Sequence, residues 1–167
     1  SPFAANSGPS LQLVTVPRPT SHKGVGFTVV KPGDQVGLGV QIFNGAASPI
    51  NQPLELCLPN NLRLTDGGDL TGDRTIQAIH AGMCENNGTL IRWNLSGANE
   101  LRTAESVKGT VVAVAVAQRA LEIDAKPATL TTQWDGKEFW SVSQVVVDED
   151  NPTITIQSPT EGDVIGR

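Results

Sequence analysis

Tyrosine is absent from this 167-residue chain, and the three Trp and four Phe bring the aromatic share to only 4%. A carbohydrate platform built from several coplanar exposed rings is therefore poorly supplied. Charge is scarce as well: Asp, Glu, Lys and Arg make up 17% of the residues, with a net charge of -5. With no basic surface to release counterions, nucleic acid and anionic lipid are excluded as partner classes. The longest apolar run, Val111 to Ala117, falls far short of the ~20 residues that span a bilayer, so no membrane insertion is expected. His22 and His80 are the only histidines, and no G-x-S-x-G motif accompanies them. Both read as surface or loop histidines rather than members of a hydrolytic triad. Cys57 and Cys84 are the only cysteines and form no C-x-x-C pair; with the two histidines they lack the spacing of a zinc site. The inventory points away from an enzyme.

What is present is β-forming sequence cut by turn chemistry, with Gly at 17 positions and Pro at 11. Apolar residues recur in short blocks, which argues against a disordered chain. Leu11 to Val16 make a first strand, stopped by Pro17 and Pro19, and Val25 to Val30 a second. Lys31-Pro32-Gly33-Asp34 then reads as a turn, with Pro presetting one angle and Gly supplying the positive φ. Val36, Leu38, Val40 and Ile42 alternate with Gln35, Gly37, Gly39 and Gln41, the pattern of a half-buried strand, and Asn44-Gly45 ends it. Leu54, Leu56 and Leu58 repeat the alternation, as do Ile91, Trp93 and Leu95. A short strand is expected at Leu62 to Leu64, and another at Val112, Val114 and Val116. Asp135-Gly136 joins Leu130–Trp134 to Lys137–Val147 as a hairpin. The predicted buried face comprises Val36, Leu38, Val40, Ile42, Leu54, Leu56, Trp93, Val112, Val114 and Val116. Thr65 to Asn87 reads as an irregular insertion anchored by Ile76 and Ile79, and Leu101, Ala104 and Val107 recur at helical spacing, which leaves Gly97 to Lys108 open as a single helical turn or a wide connection. About eight or nine strands at regular spacing predict an all-β, antiparallel sandwich.

The stretch V-V-K-P-G-D-Q-V-G-L-G-V-Q-I-F-N-G (Val29 to Gly45), followed by L-E-L-C-L-P-N-N-L-R-L (Leu54 to Leu64) and L-I-R-W-N-L (Leu90 to Leu95), resembles the bacterial "conserved repeat domain" modules. Those are immunoglobulin-like sandwiches strung along large surface and secreted proteins. The resemblance covers Leu11 to Val147 and implies an immunoglobulin-like fold outside the cell, with no catalytic residue. It departs from the family pattern in the Thr65 to Asn87 insertion and the two cysteines. The segment from Asn151 to Ile165 resembles the opening strand of a following immunoglobulin-like repeat. The expected organisation is a flexible or processed N-terminal segment at 1–9, an immunoglobulin-like sandwich at 10–147, and an acidic joint with a C-terminal strand at 148–167.

Five candidate sites follow. Cys57 and Cys84 are either two buried thiols or one disulfide, and the extracellular composition favours the disulfide. Cys57 sits opposite Leu54, Leu56 and Leu58 on its strand, so its partner is expected in a covering loop. Asp66, Asp69 and Asp73 supply oxygen ligands of the kind calcium takes, although the twelfth position from Asp66 is Gln77 and not the Glu of an EF-hand. Asp148 and Asp150 form a second weak calcium candidate, with solvated turns and a polar linker the competing readings. Trp134 and Trp140 are the candidate contacts for a glycan, while Trp93 belongs to the core pattern. In the C-terminal segment Pro152, Ile154, Ile156, Val164 and Ile165 form a candidate assembly strand, one face of which wants burial. The expected function is a structural subunit or repeat of a fibre, pilus-like filament, surface layer or stalk, extracellular or at the cell surface. Its partners would be copies of itself or neighbouring immunoglobulin-like domains. A carbohydrate- or receptor-binding module is the alternative.

Overall fold

A computed structural model describes residues 8–17, 20–22, 25–117 and 127–148. The turn at Lys31-Pro32-Gly33-Asp34 closes as its chemistry dictates: the Asp34 amide donates to the Lys31 carbonyl at 3.0 Å, and the Lys31 amide donates to the Asp34 carboxylate at 3.0 Å. Gly33 takes the positive φ of 93°. The turn launches the strand Gln35–Asn44, in which Val36, Leu38, Val40 and Ile42 are all buried. Asn44-Gly45 does not make a two-residue hairpin. Asn44 is buried instead, its side chain accepting from the Ala46 amide and donating to the Ser48 and Leu101 carbonyls, which organises a longer connection.

Among the described residues there are twelve strands in chain order: β1 Pro9–Val16, β2 Thr20–His22, β3 Val25–Val30, β4 Gln35–Asn44, β5 Leu54–Leu58, β6 Leu62–Gly67, β7 Ile76–Cys84, β8 Gly88–Trp93, β9 Ser106–Ala115, β10 Ala128–Trp134, β11 Lys137–Ser143 and β12 Val145–Val147. They form a four-stranded sheet in the order β1-β4-β9-β6, a five-stranded sheet β11-β10-β5-β8-β7 and a small sheet β12-β3-β2. The two larger sheets are antiparallel throughout and enclose one continuous apolar core, an all-β immunoglobulin-like sandwich. Among the described residues the antiparallel expectation has one exception, the parallel pair β12–β3. Lys137–Val147 was expected as one strand. It divides at Gln144, whose carbonyl accepts the Thr28 amide at 3.0 Å, so the chain leaves β10 and pairs with β3.

The structure corrects the predicted buried face on β9. Val111, Ala113 and Ala115 are buried, whereas Val112, Val114 and Val116 are only partly covered. Direct cross-strand partners share a face, and β4 presents Leu38 to Val111 and Val36 to Ala113. Bulk lost to parity: the larger valines point outward because the pairing fixes which set turns in.

One further expectation changes. Thr65 to Asn87 is not an irregular insertion but the end of β6, a turn, the whole of β7 and a 3₁₀ turn at Glu85–Asn87. Between Gly97 and Lys108 the chain makes a single 3₁₀ turn at Gly97–Asn99 and then a connection into β9. Leu101 bridges Ile50, Ala104 takes a positive φ of 67°, and Val107 already belongs to β9. The connection between β6 and β7 lies against β9, where a side chain at Gly109 would meet the Asp69 carbonyl at 2.5 Å. Leu70 is buried there.

Candidate interaction surfaces

Cys57 and Cys84 are joined in a disulfide, their Cα atoms 5.9 Å apart and 27 residues apart in sequence. Period two aims Cys57 away from the core leucines, as expected, but Cys84 lies on no covering loop. It ends β7, two strands away from β5 in the same sheet. The bridge therefore staples the edge strand β7 to the sheet's interior across the outer face, and it removes both thiols as metal ligands.

β7 is the edge so held. Ile79 is 51% exposed and Met83 66%, and Ala81 between them is also exposed. Its pairing with β8 shifts register between Ile76 and Ala78 and again between Ala81 and Cys84, where Gly82 has a φ of 78°. This edge was not recognised in the sequence. The signal was there: no Asp, Glu, Lys, Arg or Pro occurs from Thr75 to Cys84.

The outer face of the same sheet carries a second surface. Strand register sets Trp140, Thr131, Glu55 and Arg92 in one row across β11, β10, β5 and β8. The next row holds Val142, Thr129, Cys57 and Leu90. Trp140 is 63% exposed, and its outward alternation with Val142 follows the sequence pattern. Arg92 donates through Nε to the Glu55 carboxylate at 2.7 Å, with Nη2 also 2.7 Å away, so the pair is held in place. Cys57, Leu90, Thr129 and Thr131 line a shallow trough of about 290 Å³ beside it.

The other sequence candidates separate. Trp93 is buried and its indole N–H donates to the Gly68 carbonyl. Trp134 stands edge-on to Phe139, ring centres 6.3 Å apart, and borders an open hollow of about 510 Å³ with Asn51, Gln52, Gln133 and Asp135. Among the described residues no three His, Cys, Asp or Glu side chains converge as a metal site would require. Asp66, Asp69 and Asp73 are therefore not brought together as one cluster. Asp66 turns back to accept the Gly67 amide at 2.7 Å, and buried Leu70 and Arg74 anchor the loop instead. The Asp148 amide donates to the Val30 carbonyl at 2.9 Å. Asp150 and the assembly strand Pro152, Ile154, Ile156, Val164 and Ile165 lie outside the described residues, as does the side chain of His22. His80 is exposed on β7, opposite Leu90.

No protein-family model matches the chain, and no curated protein matches its sequence. Among solved structures, the chain is similar to a putative membrane-anchored protein from Corynebacterium diphtheriae at 10% identity and a TM-score of 0.54, covering 96% of this chain and 40% of that one. The major pilin subunit of Bacillus cereus aligns at 6% identity and a TM-score of 0.46, over 83% of this chain and 40% of that one. An inactive variant of an exo-β-N-acetylglucosaminidase from Vibrio harveyi aligns at 12% identity and a TM-score of 0.41, over 84% of this chain and 18% of that one. The last two superpose too loosely to carry an argument. The chain spans less than half the length of each of these neighbours, and what it shares with the first is the fold.

Proposed function

We propose that the chain is a structural module of an extracellular or cell-surface assembly, a fibre, stalk or surface layer, that works through chain-to-chain contacts. The observation that carries this reading is an uncharged sheet edge, β7, that presents exposed apolar side chains and is stapled by a disulfide. An edge of that kind is a template for pairing with another chain. A disulfide suits an oxidising compartment outside the cytosol. The likeness of fold to a membrane-anchored protein is in keeping with this setting, as is the resemblance of Val29 to Leu95 to surface-protein repeat modules. The C-terminal segment from Pro152 to Ile165, with Ile154 and Ile156 alternating with threonines, is the proposed donor strand, and head-to-tail donation yields an open filament rather than a closed ring. Light scattering across a concentration series should show the full chain forming oligomers and the chain lacking 152–167 remaining monomeric. Equal assembly of the two would rule out strand donation.

Trp140 favours a second reading, a glycan-binding module. It is an exposed indole at the end of a row with a hydroxyl and an ordered carboxylate–guanidinium pair. Specific glycan-array binding lost in Trp140→Ala would support it, and an array without signal would dismiss it.

A further inference from the structure

The edges of the sheets are guarded unequally. β1 and β11 lie against each other, with the Leu13 amide donating to Ser141 Oγ and the Ser143 hydroxyl donating to Thr15 Oγ1, both at 3.2 Å. β11 also carries Lys137 and Glu138. β6 carries Arg63 and Asp66 and is broken by a register shift between Leu64 and Asp66. β2 and β12 are three residues each. Charge, bulges, brevity and cover are the devices that keep edges from pairing. β7 has nine residues, no charged side chain other than what His80 can bear, and no proline. Its register shifts, between Ile76 and Ala78 and between Ala81 and Cys84, leave Ala78 to Ala81 as the regularly paired edge. Among the described residues only β8 pairs with it.

The donor segment matches that edge in chemistry and is long enough to cover it. Between Pro152 and Pro159 lie six residues, Thr153-Ile154-Thr155-Ile156-Gln157-Ser158, none of them charged. Proline lacks an N–H, so each end of the run stops a ladder. The regularly paired stretch of β7, Ala78 to Ala81, counts four residues and falls within the reach of that run. At ~3.3 Å per residue the donor run extends about 20 Å and the acceptor stretch about 13 Å. Ile154 and Ile156 recur at the two-residue spacing of the exposed Ile79 and Ala81, so neighbouring strands would set apolar beside apolar on one face.

We infer that the edge of β7 from Ala78 to Ala81 is the acceptor for the strand Thr153–Ser158 of a second copy of this chain, which becomes the sixth strand of the five-stranded sheet. The inference rests on the strand-donation reading above and names its receiving surface. Two full-length variants test it. Ile79→Lys/Ala81→Lys places charge on the acceptor edge at exposed positions and leaves the donor intact. Ile154→Pro/Ile156→Pro disables the donor and leaves the acceptor intact. Each alone should lose assembly and sediment as a monomer. Mixed in equal amounts they should recover a single contact and give a dimer of twice the 17.6 kDa chain mass, with no longer species. That complementation also shows that both variants are folded. If the lysine variant assembles like the wild type while the proline variant does not, donation stands and the acceptor lies elsewhere, which overturns the inference alone. If each variant is monomeric and the mixture stays so, β7 is likewise not the acceptor. If the proline variant assembles like the wild type, or the wild type is monomeric at every concentration, the donation reading falls and the inference with it.

Discussion

Arg74 is buried, and its side chain retains only 7% of its accessible surface. Its guanidinium donates to three backbone carbonyls: Nε to Asn99 at 2.8 Å, Nη1 to Thr71 at 3.2 Å and Nη2 to Glu100 at 3.0 Å. The same Nη2 lies 3.4 Å from the Glu105 carboxylate, which is 36% exposed. Two accounts of this residue compete. Either the ion pair holds the β6–β7 connection, or the fork of carbonyl bonds does. With its carboxylate open to water and the partners that far apart, the pair is worth ~0–1 kcal/mol. Hydrogen bonds from a charged donor contribute ~1.5–3 kcal/mol each, so three would sum to ~5–9 kcal/mol if none could be replaced. Thr71 is exposed and Asn99 and Glu100 are half-buried, so water recovers part of each lost bond. Arg74→Ala should therefore cost ~3–4 kcal/mol, a large share of the ~5–15 kcal/mol that stabilises a domain. Glu105→Gln keeps the oxygen that accepts the Arg102 amide and should cost ~1 kcal/mol or less. Urea melts followed by tryptophan fluorescence suit the test, because Trp93 bonds to Gly68 in the same connection. Equal losses for the two variants, or a loss below ~1 kcal/mol for Arg74→Ala, would refute the carbonyl-fork account.

Val111→Ala should destabilise by ~2 kcal/mol and Val112→Ala by less than half of that, since only Val111 faces the core; the reverse order in matched denaturant melts would restore the other register. Gly88→Ala should cost ~3 kcal/mol or prevent folding, because its new carbon would lie 2.2 Å from the Leu58 carbonyl oxygen; a wild-type thermal midpoint would show that the two strands have room to part. Replacing both cysteines with alanine should cost ~3 kcal/mol, from a loop closed across a separation of 27 residues; an unchanged melt would mean that the bridge adds nothing to β7's attachment.

Strict alternation made β4, β5 and β8 legible in the sequence, because one buried face forces every second residue to be apolar. Asp135-Gly136 gave the last hairpin, since both residues take the positive φ that such a turn demands, 53° and 72°. Val111 to Ala117 is apolar at both parities, so period two could not say which set turns inward; the pairing of Leu38 with Val111 did. β7 stayed hidden because an edge strand exposed on most of its length shows no buried alternation. The cysteines allowed a bridge, but only the sheet order put an edge strand within reach of β5. The same division applies to the candidate surfaces. The alternation of Trp140 with Val142 is local and was readable, whereas its alignment with Glu55 and Arg92 spans four strands. Local sequence determined turns and one-sided strands, because their constraints act within a few residues of backbone. Parity in the apolar strand, the stapled edge and the row on the outer face were decided by which strands lie side by side, and that is a property of long-range pairing.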